Sequence, residues 1–122
     1  MRLVLETDSR INLVRRYGNG EILIGEQVVT RPLIITPTQL VLDWSASSLA
    51  ELTEAQLEPL FAQAADVVLL GAGETQMFAS AAVRAIFRAR HIALECMTLG
   101  AACRTYNILA SEQRNVAAGL FP

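Results

Sequence analysis

Residues Gly71-Ala72-Gly73-Glu74-Thr75-Gln76 set two glycines beside a carboxylate, a hydroxyl and an amide. They follow an apolar run and precede a helical pattern, the context of a loop that cradles phosphate. A dinucleotide site would place a third glycine at position 76 and start its helix at once. Position 76 is Gln76, and the next helix cap is Ser80. The leading reading is therefore a tight strand exit in which glycines supply unusual backbone angles. Binding of a nucleotide or another anion is the alternative. A second group lies further on: Thr98, then Arg104, Tyr106 and Asn107 in one helical stretch. Tyr106 falls on the apolar face and belongs to the core, with its hydroxyl hydrogen-bonded. Asn107 is a modest helix former, which points to side-chain hydrogen bonds tying a neighbouring loop to the helix. Arg104 is free to face solvent, a ligand or a partner. In an open α/β sheet ligands collect beyond the carboxyl ends of the strands. The candidate cleft is thus Gly71, Gly73, Glu74, Thr75, Gln76, Thr98, Arg104 and Asn107, with Asp43 and Trp44 as further neighbours. No nucleophile–base pair is visible among them, so no catalytic residue is assigned.

Composition removes other chemistries. All ten basic residues are Arg. Without Lys there is no Schiff-base amine and no P-loop lysine. One histidine, His91, cannot make a site that needs two imidazoles. It falls before its strand, at the end opposite the cleft. Cys96 and Cys103 lack zinc or redox spacing and read as reduced core thiols of a cytoplasmic protein. No metal or cofactor is expected. After Met1-Arg2 the apolar run is three residues before Glu6 and Asp8, so no signal peptide is read. The longest uncharged run, residues 32–42, is too short to span a bilayer.

Net charge is −2, which argues against a nucleic-acid partner. Its distribution is uneven. Residues 1–31 carry five Arg and four acids, residues 32–83 carry six acids and no base, and residues 84–122 carry five Arg and two acids. Ordinary solvated surface is the leading reading of such a split, and a molecule with one acidic and one basic side, suited to docking a protein partner, is the alternative. The apolar fraction of 52% also gives surface to hide, and a homodimer is plausible on that ground.

These residues need elements to position them. At 122 residues the chain makes one domain, 1–122, with a β-meander part over 1–44 and an α/β part over 45–122. Residues 11–17 and 21–24 flank Gly18-Asn19-Gly20, a hairpin signal. Short strands follow over 27–30, 33–36 and 39–44. Thr53-Glu54-Ala55-Gln56 is a capping box opening a helix that Pro59 should kink or break. Strands over 66–70, 92–97 and 115–121 alternate with helices over 81–90 and 100–112. That order predicts a mainly parallel sheet with right-handed crossovers.

Four stretches carry a family resemblance: Asp66 through Gly73, Phe78-Ala79-Ser80, Arg90 through Met97, and Ala101-Ala102-Cys103-Arg104-Thr105-Tyr106-Asn107-Ile108-Leu109. In that order they resemble a family of small, largely uncharacterised bacterial and archaeal α/β proteins. The family includes the mitochondrial NADH dehydrogenase (ubiquinone) complex I assembly factor 3 and an adipogenesis-associated domain protein. The resemblance implies a three-layer single domain, a central mixed and mostly parallel sheet with helices and an added N-terminal β layer. It supplies no established catalytic activity. Where members often carry an acid-containing pair after the strand ending at Met97, this chain has Thr98-Leu99. It also has Ala79 where Pro is common. The expectation is a non-catalytic protein-interaction or assembly-factor-like module, linked to respiratory or membrane complexes. The alternative is a small-molecule or anion binder, or an enzyme, with its cleft at the strand ends.

Overall fold

The computed structural model describes residues 10–122, so the expectation of no leader at the first residues lies outside the described chain. Eleven elements follow one another: β1 (Val14–Gly18), β2 (Glu21–Ile24), β3 (Gln27–Val29), β4 (Leu33–Ile35), β5 (Leu40–Val41), α1 (Glu54–Phe61), β6 (Val67–Ala72), α2 (Ala81–Ala89), β7 (Ala93–Met97), α3 (Leu99–Ser111) and β8 (Val116–Phe121). The hairpin turn between β1 and β2 places Asn19 and Gly20 at φ 53° and 77°, the positive values that a two-residue turn needs to match strand twist. β1, β2 and β3 form an antiparallel three-stranded sheet.

The central sheet has the order β5-β4-β8-β6-β7. β8, β6 and β7 run parallel, and β4 joins β8 antiparallel. β4 and β5, expected to close the N-terminal meander, instead pair into this sheet. The meander layer ends at Val29. Strand patterning specifies a buried face but not the neighbour that covers the ladder. The strand expected over 39–44 is also shorter. It stops at Val41, because Trp44 turns into the core, where its indole N–H donates to the Gln56 carbonyl at 2.8 Å.

Alternation along the strands sorts side chains into two cores. On one face Ile34, Val68, Leu70 and Phe121 pack with Trp44, with Leu57 and Leu60 of α1, and with Val83 and Phe87 of α2. On the other, Leu33, Ile35, Leu69 and Leu120 pack with Ala102, Cys103 and Tyr106 of α3 and with Ile22, Ile24 and Val29 of the small sheet. The layers are therefore α1 and α2, central sheet, then α3 with the meander.

The Thr53 capping box is present in both directions: Gln56 N–H donates to Thr53 Oγ1 at 3.3 Å, and Thr53 N–H donates to Gln56 Oε1 at 3.1 Å. α1 continues for two residues beyond Pro59 and ends. Arg90 closes the α2 side onto α1, lying 3.9 Å over the Phe61 ring and 3.7 Å from Glu58.

Cys103 is fully enclosed, and burial pushes its thiol from 9.0 to about 12 against the opposing pull of Arg104. A raised folded value means that the fold holds the neutral thiol. Its contribution is complete below pH 9 and is lost as pH climbs toward 12. Urea unfolding should therefore show stability falling above pH 9, with a shallower fall in Cys103→Ala. Tyr106, whose hydroxyl burial also raises, accounts for the alkaline loss that persists in that variant.

Candidate functional site

The crossover from β6 to β7 carries α2 on one face, and the return from β7 to β8 carries α3 on the other. Opposite travel with one handedness puts the helices on opposite sides. It also leaves the carboxyl ends of three parallel strands side by side, where open sheets form clefts. Here the cleft holds about 470 Å³ and is lined by Tyr17, Gly18, Asn19, Gly20, Gly73, Glu74, Thr98, Leu99, Gly100, Arg104, Phe121 and Pro122.

Of the residues singled out from sequence, the structure brings Gly73, Glu74, Thr98 and Arg104 to this cleft. Thr98 caps α3, its Oγ1 accepting from the Ala101 N–H at 3.2 Å. Gly73 takes φ +71° at the strand exit, and its carbonyl accepts from the Leu99 N–H at 3.0 Å. Arg104 Nη1 donates to the Tyr17 hydroxyl at 2.6 Å. The Tyr17 ring also lies on Gly100, where a Cβ would meet its hydroxyl oxygen at 2.8 Å. Tyr17 was not legible as a site residue. Its position beside the Gly-Asn-Gly turn was the available signal, since that turn carries the hairpin tip to the sheet end.

The others go elsewhere. Gly71 is buried within β6, pressed against Ala102 of α3. Thr75 is exposed and lines neither the cleft nor the groove beside α2. Gln76 turns to the far edge of the sheet and donates from Nε2 to the Cys96 carbonyl at 3.0 Å. Trp44 is core, and Asp43 is exposed away from the cleft lining. His91 sits at the amino end of β7 with φ 57°.

Asn107 is a structural clamp. Its Oδ1 accepts from the Val14 N–H at 2.9 Å, and its Nδ2 donates to the Val14 carbonyl at 2.7 Å. One side chain thereby satisfies both backbone groups of Val14, the β1 residue at which the register with β2 shifts before Arg16. Tyr106 adds a bond from its hydroxyl to the Asn12 carbonyl at 2.8 Å. Together they hold the meander on α3, and so hold Tyr17 over the cleft. Asn107→Ala should cost about 1–3 kcal/mol, because two partly buried backbone groups lose their partners. Hydrogen exchange should show the β1–β2 amides opening before those of the central sheet; uniform protection would contradict the clamp.

The polar side chains lining the cleft are Tyr17, Asn19, Glu74, Thr98 and Arg104, with no imidazole or thiol among them. Among the described residues no three His, Cys, Asp or Glu side chains gather as a metal-binding group. Likewise, no helix among them is long and apolar enough to cross a membrane.

The fold and site define a single three-layer α/β domain with a β-meander laid over its last helix. Residues 14–121 match the family described as a protein of unknown function (DUF498/DUF598), and the chain belongs to that family. A protein of Xanthomonas campestris with a solved NMR structure is 38% identical, with a TM-score of 0.83 over 99% of this chain and 92% of that one. The 13 kDa major membrane protein of Francisella tularensis is 26% identical over 84% of this chain and 85% of its own length. NADH dehydrogenase [ubiquinone] 1 alpha subcomplex assembly factor 3 of Xenopus tropicalis is 26% identical over 97% of this chain. This chain spans 66% of that relative's length.

Proposed function

We propose that this protein acts by binding another protein, as a non-catalytic module of the assembly-factor kind linked to a respiratory or membrane complex. The observation that carries this reading is the exposed apolar Phe78, 61% accessible, which lines a groove with Arg84 and Arg88 of α2 and follows the exposed Met77, 40% accessible. Large apolar side chains grouped at a surface mark contact sites more often than isolated ones do. The names of two relatives, an assembly factor and a major membrane protein, add support. A cytoplasmic place of work belongs to the same proposal, in keeping with the free thiols Cys96 and Cys103. A homodimer is compatible with it. Affinity capture from native lysate with solubilised membranes should retain one protein in stoichiometric amount. A chain that retains nothing contradicts the proposal. Because the chain has no Lys, crosslinking needs a photoreactive or carboxyl-directed reagent.

A second reading, a small-molecule or anion binder, is favoured by the convergence of Gly73, Glu74, Thr98 and Arg104 on one cleft. A ligand at a hundred times its Kd would raise apparent stability by about 2.7 kcal/mol. A thermal-shift panel of nucleotides, organic acids and metal ions should leave Tm unmoved if the interaction reading is right; a reproducible rise abolished by Arg104→Ala would favour the cleft.

A further inference from the structure

β7 is an outer strand, paired on one side to β6. Successive residues of a strand aim their backbone groups to opposite sides. Ala93 donates its N–H to the Asp66 carbonyl at 3.2 Å, so Ala93, Glu95 and Met97 turn their backbone groups toward β6. Leu94 and Cys96 turn theirs outward. The Cys96 carbonyl fits that phase, since it accepts from Gln76 at the open edge. The N–H and C=O of Leu94 and the N–H of Cys96 are left facing outward. Proteins usually block such edges with Lys, Pro, a bulge or a covering element. β7 has no Lys or Pro, and its register with β6 is unbroken.

Beside this edge runs a groove of about 430 Å³ between β7 and α2. Phe78, Phe87, Ile92 and Leu94 give it apolar walls, and Arg84 and Arg88 line it from the helix. Arg84 is steadied by a bond from Nε to the Ala79 carbonyl at 3.1 Å. α2 has no acid to answer these charges. Glu95 is the one carboxylate in the lining. By alternation its side chain belongs with those of Ala93 and Met97, on the face opposite Leu94 and Cys96.

We infer that the β7 edge takes an extended acidic segment of a partner protein as a sixth strand, with its carboxylates on Arg84 and Arg88. This rests on the protein-interaction reading and names the site and partner chemistry within it. Added strands gain affinity from main-chain hydrogen bonds and specificity from alternate side chains. Acids at every second position would all fall on the α2 face. A second copy fits less well. A two-fold axis that continues the sheet sets both α2 helices on one face, bringing Arg84 and Arg88 toward their own equivalents.

The test uses the full chain and synthetic heptapeptides: one alternating Glu and Val, one alternating Lys and Val, and the first N-methylated throughout. Backbone amide NMR should show the Glu peptide shifting Leu94 and Cys96. The Lys peptide should bind at least tenfold more weakly, and N-methylation should abolish binding. Arg88→Glu, on the exposed face of α2, should weaken the Glu peptide at least tenfold without loss of fold. Equal affinity for Glu and Lys peptides, or shifts confined to the Tyr17–Arg104 cleft, would overturn the assignment. So would a dimer in sedimentation that depends on the β7 edge. If no peptide binds while a native partner is still captured by Arg88→Glu, this edge is wrong and the interaction reading stands. If no native partner is captured either, both fall.

Discussion

Trp44→Ala should lower stability by about 3–5 kcal/mol, the usual range for removing a large buried aromatic. Trp44 is 1% exposed. Its ring lies 5.3 Å from Phe121 at 46°, and it packs so close over β8 that a Cβ on Gly119 would meet it at 2.9 Å. Its indole N–H also satisfies the Gln56 carbonyl, while the Gln56 side chain holds the Ser45 carbonyl at 3.2 Å and completes the Thr53 capping box. One ring thus joins the entry of α1 to the central sheet. A domain has about 5–15 kcal/mol of net stability, so the variant should be close to unfolded. Urea unfolding followed by circular dichroism is the measurement, since the chain's single Trp is lost in the variant. Trp44→Phe should retain much of the packing and lose mainly the hydrogen bond. A loss below about 1 kcal/mol for the Ala variant would mean that the site collapses without cost, which the packing does not allow.

The second large effect separates structure from ligand binding at the glycine-rich exit. A Cβ on Gly71 would fall on the Cβ of Ala102 and lie 3.3 Å from Leu120 Cδ2. Gly71→Ala should therefore cost about 1–3 kcal/mol through overpacking, with α3 pushed off the sheet. The conflict has one principal partner, so it can be relieved. Ala102→Gly alone should cost about 1 kcal/mol as a glycine in a helix interior. The double variant should be more stable than the two single costs added together, because the added methyl enters the vacated space. Strict additivity in a double-mutant cycle would contradict the close approach. Gly71 is thus a packing residue, and the glycine pair that resembles a phosphate loop divides into a helix contact at Gly71 and a positive-φ exit at Gly73.

Much of this architecture was legible from local chemistry. The Gly-Asn-Gly hairpin, the Thr53 capping box, the alternation after residue 66 and the inner face of α3 are each set by neighbours within a turn or a strand. Asn107 could be read as a tie because an Asn inside a helix needs a reason. What it ties, Val14, lies 93 residues away and required the fold. Long-range choices were the ones sequence could not make. β4 and β5 read as strands, yet nothing local said that they would join β8 rather than β3. Gln76 read as a cleft residue from its place after β6. The loop instead carries it to the β7 edge, where an outward carbonyl needed a donor. Tyr17 was invisible for the same reason, since its partners Gly100 and Arg104 come from the other end of the chain.

The central claim is that the protein works by protein contact rather than by chemistry in the strand-end cleft. Affinity capture with three baits in parallel tests it most directly: the unaltered chain, Arg88→Glu and Arg104→Glu, each checked for fold by circular dichroism. The expected result is a stoichiometric protein partner on the unaltered chain and on Arg104→Glu, strongly depleted on Arg88→Glu. An empty capture on the unaltered chain would contradict it; a partner lost with Arg104→Glu and kept with Arg88→Glu would leave protein contact standing and move its surface from the β7 edge to the cleft.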